Sequence, residues 1–252
     1  KIDDGVLVTS VRDASGRIKT QPYYFGGYGH FQQVINDLPN FRALGASIIQ
    51  DSRNGPAQGL NPDFTLTPAG RGIRDALIEA NQAGVKVDLL TSPHYFPAWA
   101  VQKNPDMANG TPFNNIDHPA ERKVIEAWLT QLGKLVKNQP ALMSCCLSNE
   151  PAYSASGRDP YSAPAWHQFL RAHHLTIDAL KALYGTKFTS FDAVPAGGWK
   201  NDPAGQRWAF DWISFNDEHF AAWHKWMGDL IKRENPNLLT HANIMVFFAL
   251  EP

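Results

Sequence analysis

Short apolar runs recur along this chain, each followed by a loop and then by an amphipathic helical pattern, and this alternation constrains the fold more than any other feature. Residues 46–50 (ASIIQ) form the first clear run. After a loop with Gly55, Pro56 and Gly59, Thr67 and Pro68 open a helical pattern that carries Ile73, Leu77 and Ala80 on one face and closes at Gly84. The unit repeats at residues 85–90 (VKVDLL), where a long aromatic loop runs to Asp117 and a helix from Pro119 turns Ile125, Trp128, Leu132 and Leu135 inward. A third unit opens at 141–147 (ALMSCCL). Residues 238–245 (LLTHANIM) add a strand after a helical stretch with Trp223, Met227, Leu230 and Ile231 on one face, and 23–26 is an earlier candidate strand. Strands apolar on both faces, alternating with helices, predict a parallel sheet covered by helices.

Two α/β architectures satisfy that pattern, the closed (β/α)8 TIM barrel and the open doubly wound sheet. The open sheet usually carries a glycine-rich phosphate turn after its first strand. The segment Gly26-Gly27-Tyr28-Gly29-His30 lacks the G-x-G-x-x-G spacing, so the barrel is favoured. About five core strands are legible, and residues 150–237 are spent on loops and helices. The expectation is a single barrel domain over residues 1–252, carrying strands one to five and incomplete on its C-terminal side.

Charge limits the partners. With 23 Lys+Arg against 24 Asp+Glu the net charge is −1, which provides no field to hold nucleic acid or an acidic membrane, and no apolar run approaches a membrane-spanning length. Cys145 and Cys146 are adjacent on a strand, face opposite ways and are expected to be free thiols. The chain opens on Lys1 with no charged-then-apolar leader, as after a removed signal or at an engineered boundary, and an extracellular or periplasmic location is favoured over a cytoplasmic one.

The run 141–147 ends in Ser148-Asn149-Glu150-Pro151, which places a carboxylate and an amide where barrel enzymes build their sites. Glycoside hydrolysis needs an acid to protonate the leaving oxygen, and an adjacent Asn can hydrogen-bond a sugar hydroxyl. A loop or helix-cap carboxylate would read the same way from the dipeptide alone. The chain also holds 14 Phe, 8 Trp and 7 Tyr, a load that suits either sugar stacking or a large core. In the loop 91–99 (TSPHYFPAW), His94 can bond a hydroxyl and Tyr95 and Trp99 can stack on a sugar, or the loop simply caps the barrel. Gln50, Asp51 and Arg53 close the second strand, where Arg53 holds either substrate or a structural ion pair; His30 stands equally open. With Asn149 and Tyr153, residues His94, Tyr95, Trp99 and Arg53 are the substrate-binding candidates. His94, His118, His173, His174 and His241 show no metal-ligand spacing, so no metal and no cofactor is expected, and there is no Ser or Cys nucleophile elbow. Trp128, Phe169, Trp223 and Trp226 sit at helical positions that predict helix-to-barrel packing.

The segment SNEP at 148–151, W-x-x-F-L at 166–170, TIDALKALYGTKFTSFDAVP at 176–195, Phe215-Asn216 and NPNLLTHANIM at 235–245 together resemble the clan A retaining glycoside hydrolases, closest to the family 42 β-galactosidases. The resemblance implies that Glu150 is the general acid/base and Asn149 its hydroxyl-binding companion. It also implies an oligo- or polysaccharide substrate, with a β-galactoside foremost, and a homo-oligomer, a trimer in that family. The family's nucleophile is a Glu closing the seventh strand, and no residue here matches it; Glu251 lies near the end but in the wrong strand. The family's Arg-rich segment is replaced by NGTPFNNIDHP at 109–119, and a Cys-rich metal cluster is missing from the sequence. Two other classes compete, a carbohydrate-binding or inactive barrel and a metal-dependent barrel hydrolase. The first reading requires the strands at 85–90 and 141–147 to be parallel neighbours, and Asn149, Glu150, His94 and Trp99 to meet in one pocket.

Overall fold

The computed structural model describes residues 2–12, 15–29, 35–52, 55–91, 93, 95–109 and 113–243. An antiparallel sheet leads, formed by β1 (Ile2–Asp3), β2 (Val6–Arg12) and β3 (Ile18–Pro22). Its first turn is Asp4-Gly5, both at positive φ (47° and 73°), the two-residue hairpin geometry that Asp-Gly favours. The sequence reading passed over this hairpin, although the dipeptide is its local signature.

The main sheet has five parallel strands in the order β4 (Gly27–Tyr28), β5 (Ile48–Asp51), β6 (Lys86–Leu90), β7 (Leu142–Asn149) and β8 (Leu239–Asn243). Each strand lies beside the next one in the chain, with no switch point, which is barrel winding and not the doubly wound order. The predicted strands at 46–50, 85–90, 141–147 and 238–245 are present with shifted ends, residues 244 and 245 lying outside the described residues. The candidate at 23–26 is displaced to Gly27–Tyr28. Gly27 pairs with Ile48 so closely that a Cβ there would sit 1.9 Å from the Ile48 carbonyl oxygen, so the strand forms where the glycine allows the approach.

The crossovers follow the sequence periodicity. Between β4 and β5 lies α1 (Leu38–Ala43), and between β5 and β6 lie α2 (Pro56–Gly59) and α3 (Pro68–Gln82), the latter capped by the Thr67 hydroxyl accepting from the Gly70 N–H. After β6 come α4 (Ala98–Lys103) and α5 (Pro119–Leu135), capped by the His118 ring. Ile49, Val87, Leu89, Cys145 and Leu147 face these helices and form the main core with Trp128 and Trp223. Both cysteines are buried free thiols.

The stretch after β7 holds helices α6 (Ala163–His173), α7 (Ile177–Tyr184) and α8 (Pro203–Lys232). The 30 residues of α8 span roughly 45 Å. Its C-terminal half lays Trp223, Met227, Leu230 and Ile231 on the main core, and its N-terminal half carries Trp208, Trp212 and Phe215 into a second cluster with α6 and α7. Phe169 belongs to that second cluster, so it packs helix against helix and not helix against barrel; Trp128, Trp223 and Trp226 do pack as expected. Among the described residues no helix is long and apolar enough to cross a membrane.

Candidate active site

The carboxyl ends of β5 to β8 open on one side of the sheet, and β7 supplies the acidic group. A register shift between Cys146 and Asn149, paired with His241 and Asn243 on β8, puts one extra residue into β7. Leu147 then faces the main core and Ser148 turns to α8, where its hydroxyl lies 2.5 Å from Nε2 of His224. The His224 Nδ1 is 2.9 Å from the Phe220 carbonyl, which makes Nδ1 the donor and leaves Nε2 to accept from Ser148. Burial pushes the His224 pKa down, which keeps the ring neutral.

The bulge returns Asn149 to the face opposite the helices. There its Oδ1 accepts from the Asn243 amide at 3.2 Å, and the Gln50 Oε1 lies 3.5 Å from that same amide nitrogen. The Glu150 N–H donates to the Asn243 carbonyl at 2.7 Å, which fixes the backbone on which the exposed carboxylate stands. Glu150 has φ of 47°, a left-handed conformation that a side chain adopts at a cost and that collects at functional sites.

A polar network fills the same sheet face below this pair. Asp88 accepts from Gln50 at 2.8 Å and Ser144 at 2.7 Å, and its Oδ1 lies 2.9 Å from the His241 Nε2. Burial opposes ionising Asp88, yet the hydrogen bonds from His241, Gln50 and Ser144 outweigh it and hold its carboxyl below the usual range. The bond to Asp88 in turn raises the pKa of His241. The sequence reading weighed His241 only as a metal ligand and passed over Asp88, Ser144, Asn243 and the Ser148–His224 pair. The only local signal was a charged residue inside the apolar run 85–90 and the alternation of His241 with Asn243.

The remaining candidates divide. Tyr95 is 57% exposed on the loop after β6. Trp99 lies on α4 with its indole N–H 3.4 Å from the Leu60 carbonyl and its ring edge-on to Phe64, packed against the main core. Tyr153 is buried in that core against Phe220; its oxygen accepts from Asn109, and burial pushes its phenol up to about 12. Among the described residues no hydrogen bond joins Trp99 or Tyr153 to Asn149 or Glu150. Arg53, His94, His30 and Glu251 lie outside the described residues. Of the histidines, His118 caps α5 beside Asp106, His173 stacks on Phe169, and His174 meets Asp211. Among the described residues, His241 alone of these belongs to a set of three groups able to ligate a metal, with Asp88 and Cys146.

Solved structures share this fold. A β-galactosidase from Rahnella sp. R3 aligns over 89% of this chain and 36% of its own with a TM-score of 0.73 and 19% identity. One from Bacillus circulans sp. alkalophilus aligns over 89% and 37%, with a TM-score of 0.73 and 18% identity. A GH42 exo-carrageenase from Bacteroides ovatus aligns over 89% and 32%, with a TM-score of 0.64 and 19% identity. The chain therefore spans about a third of the length of these structures, and its five strands are part of a (β/α)8 barrel. Curated proteins give no match. The family model for glycoside hydrolase family 42, described as β-galactosidase, matches residues 63–251, three quarters of the chain and all of β6, β7 and β8, and on that match the chain belongs to family 42.

Proposed function

We propose that this chain carries the acid/base half of a retaining β-glycosidase, with Glu150 as proton donor and Asn149 as the group that holds a sugar hydroxyl. The observation that supports it is the end of β7, where an exposed carboxylate on a left-handed residue follows an amide anchored through Asn243. In the first step Glu150 protonates the glycosidic oxygen while a second carboxylate attacks the anomeric carbon. In the second step Glu150 takes a proton from water, which displaces the enzyme and releases the sugar. By the resemblance, that nucleophile closes a seventh strand, beyond the five described here. A β-galactoside is the first substrate choice, since the family model and most of the neighbours named above are β-galactosidases, and a carrageenan is the alternative that one neighbour names. Tyr95, exposed on the loop after β6, is an aromatic candidate for stacking on the sugar.

The test is Glu150→Gln in the protein. Hydrolysis of a natural β-galactoside should fall by a factor on the order of 10² to 10⁴. A galactoside with an acidic phenol as leaving group needs little protonation, so its first step should suffer far less, and added azide should rescue the second step. Replacing Asn149 should slow both substrates alike. Equal loss of both substrates in Glu150→Gln without azide rescue overturns the assignment. The five-strand sheet favours a second reading, a sugar-binding barrel without turnover; galactoside binding by an unaltered protein that hydrolyses nothing would support it.

A further inference from the structure

We infer that Asp88, Cys146 and His241 form a binding site for a borderline divalent cation, zinc foremost, on the sheet face opposite the helices. One ligand atom from each residue lies within 4.8 Å of the others. The three stand on adjacent strands, β6, β7 and β8, with Cys146 paired directly to His241 and Asp88 paired with Ser144, two residues back along β7 from Cys146. Zinc bonds of 2.0 to 2.3 Å in a tetrahedron separate their ligands by about 3.5 Å, so a shift of an ångström or so closes the triad on an ion.

The two cysteines make the distinction sharp. Cys145 points into the apolar core among the helix-facing side chains, as a buried free thiol usually does. Cys146 points the other way into the polar network, where its thiol lies 3.3 Å from the Ser148 carbonyl and accepts from the Asn243 backbone N–H. Thiolate, imidazole and carboxylate together suit zinc and its analogues, not magnesium or calcium. The carboxylate is already oriented, because Gln50 and Ser144 hydrogen-bond it in the manner of the outer partners that position metal ligands. Half-exposed His241 leaves a way in, and three protein ligands leave a fourth position for water.

On binding, Cys146 releases its thiol proton to solvent and His241 coordinates through Nε2 as the neutral ring protonated at Nδ1. The ion then bridges three neighbouring strands, including β8, which among the described residues pairs with β7 alone. No step of sugar hydrolysis enters this inference.

Cobalt(II) is the probe. Protein stripped with a chelator should take up one equivalent and show a thiolate-to-cobalt charge-transfer absorption, which zinc(II) then removes. Cys146→Ser should abolish that absorption, while Cys145→Ser should keep it. Exposed His241→Ala, which leaves the core untouched, should weaken cobalt binding on the order of 100-fold, and Gln50→Ala about tenfold. If Cys146→Ser fails to fold, His241→Ala decides. The inference is overturned if wild-type protein shows no such absorption, if it survives Cys146→Ser, or if His241→Ala binds cobalt as tightly as wild type. Each readout is independent of glycosidase activity.

Discussion

Ser148 donates its hydroxyl proton to Nε2 of His224 across 2.5 Å, linking the strand that ends in Asn149 and Glu150 to the long helix behind it. Ser148 is fully buried, and its partner's other nitrogen is committed to the Phe220 carbonyl. The strand end is therefore pinned from the helix side by one hydroxyl and from the opposite side by Asn243.

Ser148→Ala leaves the buried Nε2 lone pair without a donor, so folding stability should drop by about 1–3 kcal/mol in urea denaturation. On the proposed function, galactoside hydrolysis should fall as well, because the strand end that carries Asn149 loses its anchor on one side. Unchanged stability would show that the contact is incidental.

His224 also sets a pH dependence. Its folded pKa is depressed by burial below the ordinary 6.5, so the unfolded chain takes up a proton at a pH where the folded chain resists it. The stabilising contribution is complete above 6.5 and is lost as pH falls through the folded value. His224→Gln should flatten this part of a denaturation midpoint series between pH 7 and pH 5.

Glu121 acts with the opposite sign. It is 1% exposed on α5, and burial pushes its carboxyl well above the usual range, the charge of Arg122 opposing this in part and that of Asp117 adding to it. The folded protein keeps this proton above pH 4.5 while the unfolded chain loses it, so the stability it contributes is present below 4.5 and is lost as pH rises. Glu121→Gln preserves the shape without the ionisation. Its advantage over wild type should grow from pH 5 to pH 8, read as the difference in urea midpoints.

Glu150→Gly should separate stability from activity. The left-handed backbone at this position costs a side-chain-bearing residue about 1–2 kcal/mol and a glycine almost nothing, so the variant should be more stable by on the order of 1 kcal/mol. It should hydrolyse no natural β-galactoside. A variant less stable than wild type would mean that the carboxylate itself holds the strand end.

Gly70→Ala tests the close approach between α2 and α3. A Cβ there would lie 2.4 Å from the Gly59 carbonyl oxygen, and backbone cannot swing aside as a side chain can. A loss of about 1–3 kcal/mol is expected, measured by thermal or urea denaturation. The Thr67 cap should survive it.

Local order was legible from the sequence because it depends on spacing within a few residues. The apolar runs at 85–90 and 141–147, the Thr67-Pro68 and Pro119 helix starts, and the Asn149-Glu150 pair at a strand end all follow from periodicity and from what each residue type does to its neighbours. Tertiary structure decided the rest, because side-chain direction and strand register are set by partners far away in the chain. Trp99 and Tyr153 lie close to the site in sequence, yet packing against Phe64 and Phe220 takes their rings into the core. Asn149 reaches Asn243 across 94 positions only because an extra residue in β7 reverses the alternation after Cys146. Strict alternation would have sent Asn149 to the helices and Ser148 to the open face. The register of β6 with β7 and of β7 with β8 likewise gathers Asp88, Cys146 and His241 from three separate strands, a juxtaposition that no spacing motif encodes because each ligand comes from a different unit of the alternation.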